Sequence, residues 1–150
     1  MRGILLIDLQ NDYYPGGKFP LWNTGPVTER ILVAMALARE SGIPLVHIQH
    51  LANPAAGPAP FFERGTVGAE IHPQILAAAP DAPVIIKEYA DSFYQTKLQS
   101  TLLELGVTEL LVCGMMTQNC VTHTAISPTA ENYQVKFWRI VARPCRRCSI

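Results

Sequence analysis

The stretch Ile4-Leu5-Leu6-Ile7-Asp8 decides how this sequence folds. Four consecutive apolar residues without polar alternation are typical of a strand buried on both faces, as the strands of a parallel sheet are. Further strands are predicted over Pro44 to Gln49, Pro83 to Lys87, Glu109 to Cys113 and Gln134 to Val141. The first stretch therefore indicates a parallel sheet, with the carboxylate of Asp8 at the end of one strand.

Segments typical of helices alternate with these strands. Pro26 to Ser41 carries apolar residues at helical spacing, with a proline in its first turn and Gly42 behind it. Three more helices are predicted over Pro73 to Ala79, Thr96 to Leu105 and Cys120 to Glu131. This alternation predicts an α/β fold in which helices cover both faces of the sheet.

Composition limits the classes of function. The chain has 150 residues, 49% of them apolar and 16% charged, which suits a single domain over residues 1–150 with a real core. Twelve basic and twelve acidic side chains cancel, so neither a nucleic-acid partner nor an anionic membrane is expected. No apolar run is long enough to span a bilayer, and the segment before Asp8 is too short for a signal peptide. We therefore expect a cytoplasmic protein whose cysteines are thiols.

Three reactive side chains lie at strand ends. Asp8 ends the first strand, Lys87 ends the third, and Cys120 follows the fourth at the predicted start of a helix. Because sites in parallel sheets form at the carboxyl ends of the strands, a carboxylate, an ammonium and a thiol should meet there.

This set of groups fits acyl transfer. The helix dipole and Lys87 should favour the Cys120 thiolate, and Asp8 can accept the thiol proton and pass it to a leaving group. Backbone N–H groups of the loop from Gly114 to Cys120 can hold an oxyanion. The scheme needs no metal and no cofactor.

Each residue also has a structural interpretation. Asp8 can cap a turn, Lys87 can be a solvated strand end, and Cys120 can be a small buried hydrophobe. His123, three residues after Cys120, offers a Cys-His pair as an alternative. The motif Cys145-x-x-Cys148 offers a metal or redox site, although no second ligand pair accompanies it.

Three segments together resemble the isochorismatase-like cysteine hydrolases, which include nicotinamidases, carbamoylsarcosine amidases and isochorismatases. Their sequences are Ile7-Asp8-Leu9-Gln10-Asn11-Asp12, Lys87-Glu88-Tyr89-Ala90-Asp91-Ser92-Phe93 and Gly114-Met115-Met116-Thr117-Gln118-Asn119-Cys120-Val121. The resemblance covers about residues 3 to 136. It implies a Rossmann-like three-layer α/β/α fold with a mainly parallel sheet, and a homo-oligomer.

The resemblance also implies roles for individual residues. Cys120, Asp8 and Lys87 would form the catalytic triad. The peptide bond between Met115 and Met116 would be cis, and the backbone N–H groups of Met116 and Cys120 would form the oxyanion hole. Metal-binding nicotinamidases carry Asp-x-His after strand two, whereas this chain has His47-Ile48-Gln49-His50 there, so no metal site is predicted.

The substrate is expected to be a small molecule with an amide or related C–N bond, since isochorismatases proper sometimes lack the cysteine. The alternative is a catalytically silent binding or assembly protein of the same fold. Candidate pocket residues, for which plain packing is the competing interpretation, are Phe19, Trp22, His50, Phe61, Tyr89 and Phe93.

The tail from about residue 137 departs from the family. Where the family continues with an Asp-containing segment and another helix, this chain carries Arg143, Arg146 and Arg147. Trp138 to Cys145 can be encoded by codons that, read one base earlier, give Leu-Ala-Asp-Cys-Cys-Thr-Thr-Val, which resembles the family pattern. We therefore hypothesise a frameshift near Phe137 that removes the C-terminal helix, which sequencing of the gene would test.

Overall fold

The computed structural model describes residues 1–137. It contains five strands and four α-helices in strict alternation, and all five strands lie in one parallel sheet of order β3-β2-β1-β4-β5. The strands are β1 (Arg2–Ile7), β2 (Leu45–His50), β3 (Val84–Lys87), β4 (Glu109–Gly114) and β5 (Gln134–Phe137). The helices are α1 (Thr24–Glu40), α2 (Pro73–Ala78), α3 (Leu98–Glu104) and α4 (Thr122–Ala125). The predicted α/β fold with a parallel sheet is confirmed.

Strand β1 lies at the centre of the sheet, because its side chains are apolar on both faces. Leu6 packs with Ile31 and Met35 of α1 on one face. Leu5 packs with Leu98 and Leu102 of α3 on the other face. Side chains alternate along a strand, so one uninterrupted apolar run supplies both cores and produces the three layers.

Helix α1 forms as the spacing predicts. Val27, Ile31 and Met35 recur every four residues and are buried. After the helix ends, Gly42 takes the left-handed φ of +66°, and its N–H donates to the carbonyl of Arg39 over 3.1 Å. A residue without Cβ takes this conformation most easily, so the glycine stops the helix and turns the chain toward β2.

The predicted continuous helix from Cys120 to Glu131 is wrong. A wide, π-type helical turn over Thr117–Val121 leads into the short α4, and a separate 3-10 turn covers Pro128–Asn132. Proline has no N–H to donate and disfavours helical geometry in the residue before it. Ser127 accordingly has an extended ψ of 139°, and the helix cannot continue through Pro128.

Several sequence predictions fall on residues 138–150 and lie outside the described residues. They are the end of the fifth predicted strand, the altered tail with its absent helix, and the Cys145 and Cys148 pair. A single domain over the whole chain likewise stays a prediction. Within residues 1–137, no helix has the length and apolar character needed to cross a membrane.

Candidate active site

Asp8 follows directly on β1 and lies at the carboxyl end of the sheet. Its N–H donates to the carbonyl of Ile48 over 3.0 Å, and its φ of +52° is left-handed, which aspartate tolerates better than most residues. The side chain is fully buried. A carboxylate is thus held in the interior, where an unpaired charge would be strongly unfavourable.

Lys87 provides the opposite charge. It ends β3, in register with His50 at the end of β2, and its side chain is as buried as that of Asp8. The Lys87 ammonium donates to Asp8 Oδ2 over 3.1 Å, to the carbonyl of Tyr89 over 3.0 Å and to His50 Nδ1 over 3.0 Å. Three donors therefore meet three acceptors, and the buried charge is both paired and hydrogen-bonded.

The second oxygen of Asp8 differs from the first. Asp8 Oδ1 is buried and has no hydrogen-bond partner among residues 1–137. Leaving a buried carboxylate oxygen without a donor is unfavourable by about 1–3 kcal/mol or more. A buried carboxylate oxygen without a donor can accept a proton.

Cys120 supplies that thiol from the wide turn before α4. Its sulfur, a carboxylate oxygen of Asp8 and a ring nitrogen of His50 all lie within 4.8 Å of one another. The structure therefore brings Asp8, Lys87 and Cys120 together at one edge of the sheet, where the sequence places them.

The protonation state of Cys120 differs from the expectation. Burial, reinforced by the negative charge of Asp8, raises the pKa of Cys120 to about 12, and Lys87 only partly opposes this rise. The expectation that the helix dipole and Lys87 yield a thiolate is wrong for this state of the site, because desolvation is the largest effect. The sulfur is a neutral thiol at physiological pH.

The segment before Cys120 approaches β1 closely. The peptide bond between Met115 and Met116 is cis, and the Met115 N–H donates to the carbonyl of Ile7 over 2.9 Å. At Gly114, which has a φ of +141°, an added Cβ would overlap the Ile7 backbone. Glycine is therefore required where the cysteine loop leaves the sheet.

Gln10 is a supporting residue that the sequence analysis did not single out as functional. Its buried amide accepts from the His50 N–H over 2.8 Å and donates to the carbonyls of His50 over 2.8 Å and Ala69 over 2.7 Å. Gln10 thereby fixes the end of β2. Its position two residues after Asp8 is the feature of the sequence that could have indicated a role at the site.

Aromatic rings adjoin this site. Phe62 lies 5.7 Å from the His50 ring and 4.7 Å from the ring of Tyr13, and Phe61 lies 4.9 Å from the ring of Phe19. Burial, followed by the negative charge of Asp8, raises the pKa of Tyr13, a residue of the site that the sequence did not indicate. Phe19 and Phe61 thus belong to an aromatic cluster that reaches His50 through Phe62.

The remaining candidate pocket residues have other surroundings. Phe93 is a core residue that stacks on Tyr133 at 5.9 Å, which favours the packing interpretation. Tyr89 and Trp22 are both exposed, and the Tyr89 ring meets that of Tyr94 edge to face. Of the side chains predicted for the pocket, His50 is hydrogen-bonded to the triad through Lys87.

Alternatives to the triad can also be placed. His123 Nδ1 contacts the carbonyl of Asn119 at 2.9 Å and its side chain is exposed. Cys113 is buried in β4, where its thiol donates to the carbonyl of Leu5 over 3.4 Å. Neither contact involves the triad.

A divalent cation does not fit the potential donors Asp8, His50 and Cys120. The ammonium of Lys87 lies within 3.1 Å of both Asp8 Oδ2 and His50 Nδ1, so it already occupies the position of a positive charge between them. A second cation there would be strongly repelled at low dielectric.

Comparison with known proteins places the chain among related sequences and structures. The family model of the isochorismatase domain matches residues 2–138. The isochorismatase family protein YddQ of Bacillus subtilis is 37% identical over 130 residues, covering 87% of this chain and 71% of YddQ. The ureidoacrylate amidohydrolase RutB of Methylobacterium radiotolerans is 33% identical over 151 residues, covering 81% of this chain but only 58% of RutB. The crystal structure of an isochorismatase from Pseudomonas putida has a TM-score of 0.77 at 29% identity and covers 91% of this chain and 67% of that one.

Proposed function

Because the chain belongs to the isochorismatase family of hydrolases, we propose that it hydrolyses a small-molecule amide or related C–N bond through a thioester on Cys120. The catalytic residues would be Asp8, Lys87 and Cys120. The similarity to an amidohydrolase, RutB, supports the C–N bond as the class of target.

The observation that carries the proposal is the approach of the Cys120 sulfur to within 4.8 Å of a carboxylate oxygen of Asp8. One oxygen of that carboxylate, Asp8 Oδ1, is buried without a hydrogen-bond partner among residues 1–137. A thiol with a pKa of about 12 is a poor nucleophile until its proton is removed. A general base must therefore take the proton as the sulfur attacks, and Asp8 is the buried carboxylate available for this.

The reaction then proceeds in two halves. The sulfur of Cys120 bonds to the carbonyl carbon while Asp8 takes the thiol proton, and the carbonyl oxygen becomes an oxyanion facing the N–H groups of Met116 and Cys120. The C–N bond breaks, and Asp8 gives its proton to the departing nitrogen. Water, deprotonated by Asp8, next attacks the thioester, and the proton returns to the sulfur as the acid leaves.

Lys87 has an electrostatic role in this scheme. Its ammonium is held by Asp8 Oδ2, and it balances the negative charge that moves between the carboxylate, the sulfur and the oxyanion. The site would otherwise have to accumulate negative charge without water to solvate it.

An ammonia-release screen over small primary amides and carbamoyl compounds tests the proposal. We expect turnover by the unmodified chain, loss of at least about a thousandfold in Cys120→Ala, and little change in Cys113→Ala, which removes the other described thiol. Undiminished turnover in Cys120→Ala would refute the cysteine mechanism. Absence of turnover across the screen would favour the alternative, a catalytically silent binding or assembly protein. Homo-oligomerisation and cytoplasmic location stay predictions.

A further inference from the structure

His50 contacts the triad but has no task in the mechanism above. Its Nδ1 lies 3.0 Å from the Lys87 ammonium and 3.9 Å from Asp8 Oδ2. An ammonium has three N–H donors and no acceptor, so His50 Nδ1 must carry a lone pair in this contact. The ring is therefore neutral, with its proton on Nε2.

The surroundings keep the ring neutral. Burial and the positive charge of Lys87 lower the pKa of His50, and they outweigh Asp8, Glu88 and a hydrogen bond with the Glu88 backbone, all of which raise it. Cys120, the other titratable group facing the ring, is a neutral thiol. His50 thus offers Lys87 a stable neutral acceptor.

The ring is held in place independently of Lys87. Gln10 bonds both the N–H and the carbonyl of His50 over 2.8 Å, and Phe62 packs against the ring at 5.7 Å. The acceptor is therefore positioned before Lys87 reaches it.

Removing that acceptor has a definite consequence. The third N–H of Lys87 would then be buried without an acceptor. Within residues 1–137, the triad has one buried acceptor atom that lacks a donor, Asp8 Oδ1. An ammonium covering both oxygens of Asp8 would leave neither oxygen open to the Cys120 proton.

We propose that His50 is a positioning residue whose Nδ1 anchors the Lys87 ammonium on Asp8 Oδ2 and thereby leaves Asp8 Oδ1 available to the thiol. This inference rests on the proposed function and assigns His50 a role in the same site. His50 acts through Lys87, and no contact of its own with substrate is required.

Two substitutions separate the acceptor from the ring. In His50→Asn the amide oxygen can replace Nδ1, whereas His50→Phe keeps a ring of similar shape without an acceptor. In His50→Phe we expect kcat to fall about 10- to 100-fold and KM to stay within about threefold. This is the effect expected when a buried charged donor, here the Lys87 ammonium, loses one acceptor. His50→Asn should keep kcat within about threefold.

A second readout needs no substrate. Movement of Lys87 toward Asp8 Oδ1 would weaken the effect of the Asp8 charge on the pKa of the Cys120 thiol. Iodoacetamide should therefore alkylate Cys120 at least about threefold faster in His50→Phe at pH 8. In His50→Asn the alkylation rate should equal that of the unmodified protein. The alkylation measurement tests the role of His50 even if no amide is turned over. Retained turnover in Cys120→Ala would count against the proposed function and not against this role.

The inference is refuted if His50→Phe keeps kcat and alkylation rate within twofold, or if His50→Asn loses as much as His50→Phe. Should His50→Phe fail to fold, His50→Ala replaces it, with imidazole or pyrrole added to fill the space. Imidazole, which has an acceptor nitrogen, should restore kcat and pyrrole should not. Equal effects of the two compounds would also refute the role of the acceptor.

Discussion

Replacing Asp8 by asparagine should make Cys120 more reactive toward alkylation while making the protein a worse hydrolase. Both effects follow from one charge. Asp8 raises the pKa of the thiol through its negative charge, yet it is the base that the proposed mechanism requires. Asp8→Asn removes the charge and the base together while keeping the size of the side chain.

The magnitude can be worked from the structure. With a pKa of about 12, about one sulfur in ten thousand is ionised at pH 8. A full charge within 4.8 Å of the sulfur contributes at least about 3.5 kcal/mol at an effective dielectric constant of 20, or about 2.5 pKa units. Asp8→Asn should therefore raise the thiolate fraction about 300-fold. The alkylation rate should rise by at least about tenfold, less than the thiolate fraction, because a less basic thiolate is a weaker nucleophile.

The assay is the rate of iodoacetamide labelling between pH 7 and 9, followed by mass spectrometry. In a Cys113→Ala background the tryptic peptide 98–136 contains Cys120 as its one cysteine, so labelling there reports a single sulfur. Amide hydrolysis measured on the same samples should fall about 10²- to 10⁴-fold, the usual contribution of a general base.

Asp12→Asn is the matched control. Asp12 is another buried carboxylate, but it accepts from the backbone N–H groups of Lys18 and Phe62, and no contact joins it to Cys120 in the described part of the chain. Its replacement should leave the labelling rate of Cys120 within about twofold. If Asp8→Asn labels no faster than the unmodified protein, the electrostatic account of the site is wrong.

Two further predictions concern stability. Gly114→Ala should destabilise the fold by about 3 kcal/mol or more in urea unfolding, because the added Cβ overlaps the Ile7 backbone. Gly25→Ala, which has open space around it but precedes Pro26 in α1, should cost no more than about 1 kcal/mol. Equal midpoints would contradict the close approach at Gly114. The free energy of unfolding should also fall as the pH drops below about 6.5, because burial lowers the pKa of His47 and the unfolded chain takes up the proton first. His47→Gln can keep the bond to the carbonyl of Ala79 and should reduce this loss without abolishing it, because burial also lowers the pKa of His50 and His72. An unchanged pH profile in that variant would show that His47 does not contribute.

The strand ends could be predicted because each depends on local sequence alone. Asp8 and Lys87 each terminate a short apolar run, and parallel strands necessarily bring their carboxyl ends to one edge. The contact between these side chains, 79 positions apart, then follows from topology.

The parts that sequence could not supply depend on neighbours from several elements. The Gln10 amide bonds the backbone of His50, which lies 40 positions away in the sequence. The sequence does not distinguish this buried amide from one exposed to solvent. Pro128 is itself a signal against a continuous helix from Cys120 to Glu131, and the backbone leaves helical geometry at Ser127. Phe93 resembled a pocket residue only because it follows Lys87 closely, whereas its ring lies in the core.

The pKa of Cys120 shows where inference from sequence stops. A helix start and a lysine both favour a thiolate, and both can be located in a sequence. Desolvation opposes them, and it depends on how closely the loops pack around the sulfur. In the folded site the charges of Asp8 and Lys87 already cancel, so a thiolate would leave an unbalanced negative charge in a buried space. A thiol that gives its proton to Asp8 during attack keeps the net charge of these three groups at zero until the substrate oxygen develops its own charge. The same burial that disfavours a resting thiolate therefore favours proton transfer within the triad, and Lys87 is then available to stabilise the oxyanion that forms next.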